Sequence, residues 1–479
     1  MKSINFMLVF FVALNFWSCK EEKFQPYKDI EEISITSPQD TAIVLAQLQN
    51  LVIRPQLKGT NPNKQYTYQW RLYVGESYQV LATTKDLDIK VELAVDDYTV
   101  QFLATDPVTD IKAISQLYSL KVTGAFPEGW LVGNNLNGKG QMSFIRTADQ
   151  QVFYNPIADI NGTAYPEKLV AAVSAVAPTS FFGSFKQLFY FTENGLRVFD
   201  AETMLQTMDL NEYFYTSKSF SNIPAYGTNA YNIDQYLIHD GELYAANGTE
   251  FGANTDFGKF SERFEGDYSM FPFVFPDAAF TTYFYDNKNK RFMSATYQGR
   301  ELTIPSRQTT NGQYNINNIQ KTMLGSDLTL SDNYLSLMED GGQAYIYAFR
   351  LKSTSSILGG YYTQLSGAEE LDQFTGFAAA SDVERGYYSS KSKIFKVSAA
   401  NGIVTELYRL AAGAEIVDLK MLKSGTDANR QLVIAVNRGT VGEVHCIFLN
   451  EFGDIDSNRK AIVYTGFGQI TNISYRKAS

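Results

Sequence analysis

Residues 66–74 read YTYQWRLYV, and this stretch decides the fold class of the first part of the chain. Aromatic or apolar side chains alternate in it with polar ones: Tyr66, Tyr68, Trp70, Leu72 and Val74 against Thr67, Gln69 and Arg71. Successive side chains of a strand point to opposite faces of a sheet. The alternation therefore predicts a β-strand with one buried face.

The same period of two recurs in the residues that follow. Strands are predicted for residues 87–93, 98–106 and 118–122, with an acidic turn at 94–97. A tryptophan in a central strand and an acidic turn before the pattern Tyr98-x-Val100-x-Phe102 are typical of an immunoglobulin-like sandwich with a tyrosine corner. The cysteine pair of antibody domains is absent from the sequence. We therefore expect an all-β sandwich without a disulfide.

Three segments carry a resemblance to a known family: residues 83–89 (TTKDLDI), 97–106 (DYTVQFLATD) and 126–132 (FPEGWLV). Together they resemble the PKD-like family of outer-membrane lipoproteins. The resemblance implies an N-terminal PKD-like sandwich followed by a larger β-domain, and a partnership with SusC/SusD-type nutrient importers. Because the family has no established catalytic residues, the resemblance implies a location and partners but no reaction.

Residues 1–18 have the pattern of a lipoprotein signal peptide. Lys2 is followed by an apolar run over residues 4–16, and the small residue Ser18 precedes Cys19. A run of about 13 residues covers only about 20 Å of a hydrocarbon core of roughly 30 Å, which is too short for a transmembrane helix. We therefore expect lipid attachment at Cys19, a tether over residues 19–31, and an anchor in the outer membrane that does not span it.

The charged residues after the cysteine bear on which side of the membrane the chain faces. Lys20, Glu21 and Glu22 resemble the short acidic signal that sends lipoproteins to the cell surface in Gram-negative bacteria with SusC/SusD-type importers. A solvated tether would have the same composition. The resemblance implies a lipid-anchored chain that faces the cell exterior.

Charge and the scarcity of cysteine and histidine exclude several functions. A net charge of −10 without long runs of one sign gives no electrostatic surface for nucleic acid. With Cys19 lipidated, Cys446 has no intramolecular partner, so no disulfide framework is possible. His239 and His445 are the only two histidines and lie far apart, which argues against a histidine-rich zinc site. We expect no metal and no other cofactor, and Cys446 as a small core residue.

From Trp130 onward, pairs of short strands recur roughly every 40–55 residues, close to the repeat of four-stranded propeller blades. The predicted hairpins join residues 189–191 to 196–199, 236–238 to 243–245, 283–285 to 291–293, 334–337 to 344–347, 386–388 to 393–395, and 432–434 to 445–447. We therefore predict a PKD-like sandwich over residues 32–124 and a β-propeller of six to eight blades, preferably seven, over residues 125–479. Several β-sandwiches are the alternative.

Two motifs resemble binding loops but lack a required residue. Residues 133–140 approach the phosphate-binding pattern, yet Gly140 replaces the hydroxyl and the following residues alternate like a strand. Residues 454–458 begin like a calcium loop, yet Arg459 stands where the tight-turn glycine belongs. We interpret the first as a glycine-rich hairpin and the second as a polar turn.

Aromatic residues in loop-like surroundings are the candidate contacts for a ligand or partner: Trp130, Tyr213, Tyr215, Tyr226 and Tyr231. Tyrosines among small polar residues provide a stiff amphipathic surface that suits sugars, peptides or a protein partner. The alternative is that these rings pack between blades.

Three functions compete on this evidence. The first is a non-catalytic accessory protein that binds an oligosaccharide or peptide for a SusC/SusD-type importer. The second is a surface glycan-degrading enzyme that uses carboxylates of the propeller, and the third is a structural or adhesive surface protein. We favour the first and expect no enzymatic activity, because neither histidine lies near a nucleophile elbow and no carboxylate pair stands out.

Overall fold

The computed structural model describes residues 33–477, apart from 38–39, 60, 62–63, 76, 180–182, 230–233, 248–258, 277–280, 297–300, 306–312, 331–332 and 353–355. The predicted signal peptide, Cys19 and Tyr231 lie outside the described residues. The chain divides after Thr123 into two compact units, here called the first and second units. Within the described ranges, no helix is both long enough and apolar enough to cross a bilayer.

The first unit is built from short strands that pair mostly antiparallel. They are β1 (Ser34–Thr36), β2 (Ala42–Ala46), β3 (Asn50–Ile53), β4 (Gln56–Lys58), β5 (Thr67–Val74), β6 (Ser77–Ala82), β7 (Leu87–Lys90), β8 (Asp96–Thr105), β9 (Lys112–Ile114) and β10 (Tyr118–Thr123). One sheet has the order β2-β10-β8-β5-β6 with β9 beside β8, and β3-β7 and β1-β4 form two smaller pairs. The parallel pairing of β10 with β2 is the exception.

The core of the first unit lies between the large sheet and the β3-β7 pair. Trp70 is fully buried, with its ring 4.8 Å from that of Phe102, and its indole N–H donates to the Lys85 carbonyl at 3.3 Å. The Tyr98 hydroxyl donates to the carbonyl of Ala94, four residues upstream, at 3.1 Å. This is the hydrogen bond of a tyrosine corner, and it confirms that prediction. Val74 differs from expectation: it is 57% exposed, because β5 has left the core where it reaches the turn to β6.

The second unit contains one short helix, α1 (Pro156–Asn161), among its described residues, together with a 3-10 turn at Leu371–Gln373. Its first strands are β11 (Gly129–Leu136), β12 (Lys139–Arg146), β13 (Val152–Phe153), β14 (Leu169–Thr179), β15 (Gly183–Thr192), β16 (Gly195–Asp200), β17 (Gln206–Met208), β18 (Ala225–Thr228), β19 (Asp234–His239), β20 (Glu242–Asn247), β21 (Phe275–Pro276), β22 (Thr281–Asp286) and β23 (Arg291–Thr296). The remaining strands are β24 (Thr322–Leu328), β25 (Asn333–Asp340), β26 (Gln343–Lys352), β27 (Ser356–Gln364), β28 (Phe374–Ala379), β29 (Arg385–Ser390), β30 (Lys393–Ser398), β31 (Val404–Arg409), β32 (Glu415–Met421), β33 (Gln431–Arg438), β34 (Val441–Phe448), β35 (Ile462–Phe467) and β36 (Gln469–Arg476). The all-β prediction is confirmed.

These strands form seven small sheets within the described part of the second unit. In chain order the sheets are β13-β12-β11-β36, β14-β15-β16-β17, β18-β19-β20, β21-β22-β23, β24-β25-β26-β27, β28-β29-β30-β31 and β32-β33-β34-β35. All six predicted hairpins are confirmed, and each is the pair formed by the second and third strands of one sheet. The first sheet departs from chain order, because the C-terminal strand β36 supplies its edge beside β11.

Residues 133–140, which resemble a phosphate loop, fall in the β11-β12 hairpin. The turn residues Asn137 and Gly138 have φ values of 53° and 77°, as a tight hairpin turn requires. A Cβ at Gly133 would lie 2.6 Å from the Oδ1 of Asn472, so a glycine is needed there for the close approach of β36. The interpretation as a glycine-rich hairpin is confirmed.

Asparagine side chains join neighbouring sheets of the second unit by a recurring pair of hydrogen bonds, here called the asparagine clamp. In each clamp the amide oxygen accepts the backbone N–H of one residue in the next sheet, and the amide nitrogen donates to the carbonyl of that same residue at 2.8–3.1 Å. The pairs are Asn135 with Leu169, Asn287 with Met323, Asn437 with Ile470, and Asn472 with Ala172. Each clamp satisfies a backbone pair at a sheet edge. Asn135 and Asn437 lie one residue before the ends of β11 and β33, and Asn287 directly follows the end of β22.

Candidate functional site

Three neighbouring sheets of the second unit surround an open cleft of about 930 Å³, here called the main cleft. Thr471 of β36, the start of β14 and Glu193 in the β15-β16 turn form one side of it. The segment 218–223 and the β19-β20 hairpin, which carries His239, Asp240 and Glu242, form the other side. The turn is tight because Asp240 and Gly241 both have positive φ, 52° and 79°. The hairpin thus holds three polar side chains at the cleft.

The two acidic residues of the β19-β20 hairpin are held as carboxylates by donors around them. Asp240 accepts hydrogen bonds from the Asn222 amide at 2.7 Å and the Ser221 hydroxyl at 2.9 Å, and these bonds lower the pKa of its carboxyl group. Glu242 accepts a hydrogen bond from the Tyr244 hydroxyl and lies 3.5 Å from the Lys218 ammonium; the bond and the charge lower its pKa as well. Both groups are therefore ionised at neutral pH.

His239 is buried, and its imidazole pairs with a backbone group. Its Nε2 accepts the backbone N–H of Ser221 at 3.2 Å, and burial lowers the pKa of the imidazole, so the ring is neutral near pH 7. The Ser221 hydroxyl donates to Asp240 and not to the histidine. The Phe220 ring packs edge-on against the imidazole at 5.0 Å. Ser221, His239 and Asp240 thus form a structural network and not a nucleophile relay.

The chemistry of the main cleft suits binding of a polar ligand. Ionised carboxylates accept hydrogen bonds, hydroxyl and amide groups both donate and accept them, and Ile223, which is 47% exposed, contributes an apolar surface. A general acid for glycoside hydrolysis needs a carboxyl group whose pKa is raised, whereas the pKa values of Asp240 and Glu242 are lowered. Across the part of the chain that the structure describes, no three histidine, cysteine or acidic side chains are close enough to hold a metal ion.

Most of the predicted aromatic contacts lie inside the second unit. Tyr213 is 4% exposed, with its ring 5.5 Å from Phe189, and its hydroxyl bonds Gln235 at 2.9 Å. Tyr226 packs edge-on against Phe189 at 4.9 Å, and its hydroxyl bonds the same glutamine at 3.0 Å. These placements agree with packing between sheets and not with an open contact surface, because each ring is surrounded by other apolar side chains and each hydroxyl has an internal partner.

Two other candidates have different surroundings. Trp130 is 2% exposed and packs against Tyr475 at 4.8 Å, so it offers no open stacking surface and reaches only a small cavity. Tyr215 is 57% exposed, and its role as a contact residue stays a prediction.

The side chains that do line the main cleft were missed by the sequence reasoning. The sequence indicates the tyrosines of the stretch 213–236, but the residues that line the cleft are Phe220 to Ile223, which lie between them. Asp240 lies in the turn between the predicted strands 236–238 and 243–245. The sequence does contain a signal for these cleft residues. Ser221 and Asn222 offer hydrogen-bond donors, and Asp240 begins a turn that joins two predicted strands.

Cys446 confirms its predicted place as a small core residue, and its burial makes its reactivity predictable. It is 3% exposed, and burial raises the pKa of its thiol to about 12. At pH 8 it therefore holds about a thousandfold less thiolate than a thiol of pKa 9. In a Cys19→Ser chain we expect no reaction with a thiol reagent under native conditions and one equivalent after denaturation. Rapid reaction of one equivalent in the native state would contradict this placement.

Comparison with solved structures gives distant likenesses, including the following three. A protein from Lactobacillus plantarum has a TM-score of 0.44 and 10% identity, with 73% of this chain and 99% of that one covered. A functionally unknown protein from Desulfotomaculum acetoxidans has a TM-score of 0.43, 10% identity and the same coverage. PorZ, a surface component of the type-IX secretion system of Porphyromonas gingivalis, has a TM-score of 0.33 and 9% identity over 77% of this chain and 44% of that one. At these values the likenesses carry no argument about function.

Sequence comparison identifies one family. No curated protein matches the chain significantly. The model of the PKD-like family matches residues 24–168, from the predicted tether through the first unit and into the first sheet of the second unit. The resemblance predicted from the sequence is thereby confirmed for residues 24–168, which carry the pattern of the PKD-like family.

Proposed function

We propose that this chain is a surface-exposed outer-membrane lipoprotein that binds a ligand, without catalysis, for a SusC/SusD-type TonB-dependent nutrient importer. The signal pattern that ends at Cys19 supports the lipid anchor, and the charged residues after it support surface exposure. The PKD-like match over residues 24–168 supports the association with an importer, because the resemblance implies that partnership.

The second unit, in this proposal, is a closed β-propeller of seven blades. Contacts between edge strands of neighbouring sheets support this proposal, and they occur at β14-β18, β18-β21, β24-β28, β28-β32, β32-β36 and β36-β14. The clamp between Asn287 and Met323 joins the fourth sheet to the fifth. The pairing of β36 with β11, which brings the C-terminal strand into the first sheet, supports closure of the ring. The alternative of several sandwiches would require sheets that pair face to face instead of in sequence.

The proposal of a binding function rests on the main cleft. Its volume of about 930 Å³ is within the range of about 300–1,000 Å³ that ligand pockets occupy. Its ionised carboxylates, hydroxyls and amides suit the hydroxyl groups of an oligosaccharide or the backbone of a peptide. Lowered carboxyl pKa values favour hydrogen-bond acceptance over proton donation, so the site favours binding over hydrolysis.

A binding assay tests the role of the main cleft. We expect at least one member of a panel of oligosaccharides and peptides to bind the chain and to be recovered uncleaved. Asp240→Asn is expected to weaken that binding at least tenfold, about 1.4 kcal/mol, because the ligand loses an anionic acceptor. Glu451→Gln, at an exposed position away from the cleft, is the matched control and should leave the affinity unchanged. Equal affinity of Asp240→Asn and the parent, or cleavage of the bound ligand, would contradict the proposal.

A further inference from the structure

A second cavity, here called the Trp130 cavity, lies between the first and seventh sheets of the second unit. Its volume is about 220 Å³. The first sheet contributes Trp130, Ile145 and Tyr475 to its walls, and the seventh sheet contributes Cys446 and Tyr464. The inner end is buried, since Trp130 and Cys446 are at most 3% exposed. Exposed residues at the other end, Gln150 and Thr426 among them, leave the cavity open to solvent.

Aromatic rings form much of the wall. Trp130 and Tyr475 pack 4.8 Å apart at an angle of 59°, and Phe448 and Tyr464 line the cavity from the seventh sheet. The Arg459 guanidinium already lies 3.6 Å from the centre of the Phe448 ring, so one ring of the group binds a cation within the protein itself. The faces of aromatic rings carry partial negative charge and attract cations.

One carboxylate of the cavity, that of Glu128, uses one oxygen for its hydrogen bonds to other described residues. Oε1 of Glu128 accepts the Tyr475 hydroxyl at 2.5 Å and the Ser424 hydroxyl at 3.0 Å, which fixes the side chain in place. For Oε2, no hydrogen bond or ion pair to another described residue is found. A carboxylate oxygen in such a setting gains free energy from a donor that carries positive charge.

The charges that line the cavity do not balance. Arg459 binds Asp427 through two hydrogen bonds of 2.6 and 2.9 Å, so these two side chains neutralise each other. Glu128 is then left as the one uncompensated charge among the lining residues, and the cavity has a net charge of −1. A bound monocation would neutralise the charge of this half-buried carboxylate beside the aromatic walls.

We propose that the Trp130 cavity binds a small organic cation whose ammonium group lies against Glu128 and the surrounding aromatic rings. The cavity holds about seven times the volume of roughly 30 Å³ that one water occupies in the liquid, which suits a small amine and not an oligosaccharide chain. This site is separate from the main cleft. Its ligand therefore does not depend on the function proposed above, and either proposal can fail without the other.

The test compares cations with neutral molecules of the same shape. Choline and ethanolamine are titrated into the full chain in detergent by calorimetry, with 3,3-dimethylbutan-1-ol and propan-1-ol as their uncharged counterparts. We expect at least one cation to bind saturably and at least tenfold more tightly than its counterpart, because only the cation has the charge that Glu128 and the rings attract. No saturable binding of either cation, or equal binding of cation and counterpart, would overturn the proposal.

Glu128→Gln separates charge from shape. The amide keeps an acceptor for Tyr475 and Ser424, so the cavity keeps its walls while it loses its net charge. The affinity for the cation should fall at least tenfold, and that for the neutral counterpart should not change. Asp240→Asn, in the main cleft, should leave cation binding unaffected. Unchanged cation affinity in Glu128→Gln would reject the site, and the comparison in the parent chain decides the question even if this variant does not fold.

Discussion

The second unit is expected to unfold steeply as the pH rises above 10. Several tyrosine side chains in it are at most 4% exposed, and burial raises the pKa of each above its ordinary value of 10.0; five of them are Tyr190, Tyr213, Tyr236, Tyr285 and Tyr387. For Tyr213 the raised pKa is about 12. Each of these hydroxyl groups therefore loses its proton at a lower pH in the unfolded chain than in the folded chain.

The sign of the effect follows from proton binding. Above pH 10 an unfolded tyrosine loses its proton while the buried one keeps it, so the folded state binds more protons and stability falls as the pH rises. Each tyrosine contributes a loss of about 1.4 kcal/mol per pH unit, and five contribute about 7 kcal/mol, comparable with a total stability of about 5–15 kcal/mol. Arg476 acts the other way, because burial lowers its pKa to about 10, but it is one group against five.

Circular dichroism and the ultraviolet absorbance of tyrosinate measure this transition. Exposed tyrosines should ionise near pH 10. Buried tyrosines should ionise at higher pH, in the same transition in which the circular dichroism signal of the folded chain is lost. Tyr190→Phe is an informative variant, because the Tyr190 hydroxyl is buried without a hydrogen-bond partner among the described residues. Its removal costs no hydrogen bond and should shift the transition to higher pH. Ionisation of all tyrosines near pH 10 with unchanged circular dichroism would contradict the burial of these rings.

Asn472→Ala is expected to destabilise the second unit by about 2–6 kcal/mol, since it leaves the N–H and carbonyl of Ala172 unpaired at about 1–3 kcal/mol each. Asn472 is 5% exposed, and its amide joins β36 to the second sheet by bonds of 2.9 and 2.8 Å. The variant therefore weakens the place where the C-terminal strand meets the start of the second sheet. Urea unfolding followed by tryptophan fluorescence gives the change in free energy.

Asn458→Ala is the matched control for that experiment. Asn458 is exposed, and its side chain forms no hydrogen bond to a described residue, so its loss should change the stability by no more than about 0.5 kcal/mol. A similarly small change in Asn472→Ala would show that the clamp does not stabilise the unit.

The local parts of the fold could be read from the sequence, because their signals lie within a few residues. Alternation around Trp70 predicted the strand and its buried face, and the turn before Tyr98 predicted the tyrosine corner. The hairpin at Asp240 and Gly241 was predictable because a short polar turn joins two runs of apolar residues.

Contacts between distant segments could not be read in this way. Arg476 donates hydrogen bonds to the carbonyls of Phe126 and Ala201, and the first of these lies 350 positions away. The sequence around Arg476, Phe126 or Ala201 contains no motif that predicts these hydrogen bonds. The asparagine clamps could not be predicted for the same reason. The role of an amide side chain depends on which backbone group lies beside it in the folded chain.

The candidate site was predicted in part. The stretch 213–236 does border the main cleft, but composition could not tell which of its side chains face inward. Tyr213 lies among serine, asparagine and glycine residues that suggest a loop, yet its ring packs against Phe189 and its hydroxyl finds Gln235. A tyrosine can satisfy both an apolar core and a polar partner, so its presence in a polar stretch does not decide its exposure.

Purification from the native membrane tests the central claim most directly. A tagged chain at its native expression level is solubilised from the outer membrane in detergent, and the proteins recovered with it are identified by mass spectrometry. Cys19→Ala is the control, and it should be lost from the membrane fraction together with any partner because it lacks the lipid. We expect a TonB-dependent transporter to be recovered with the parent chain; recovery of the parent chain alone would contradict the proposed association.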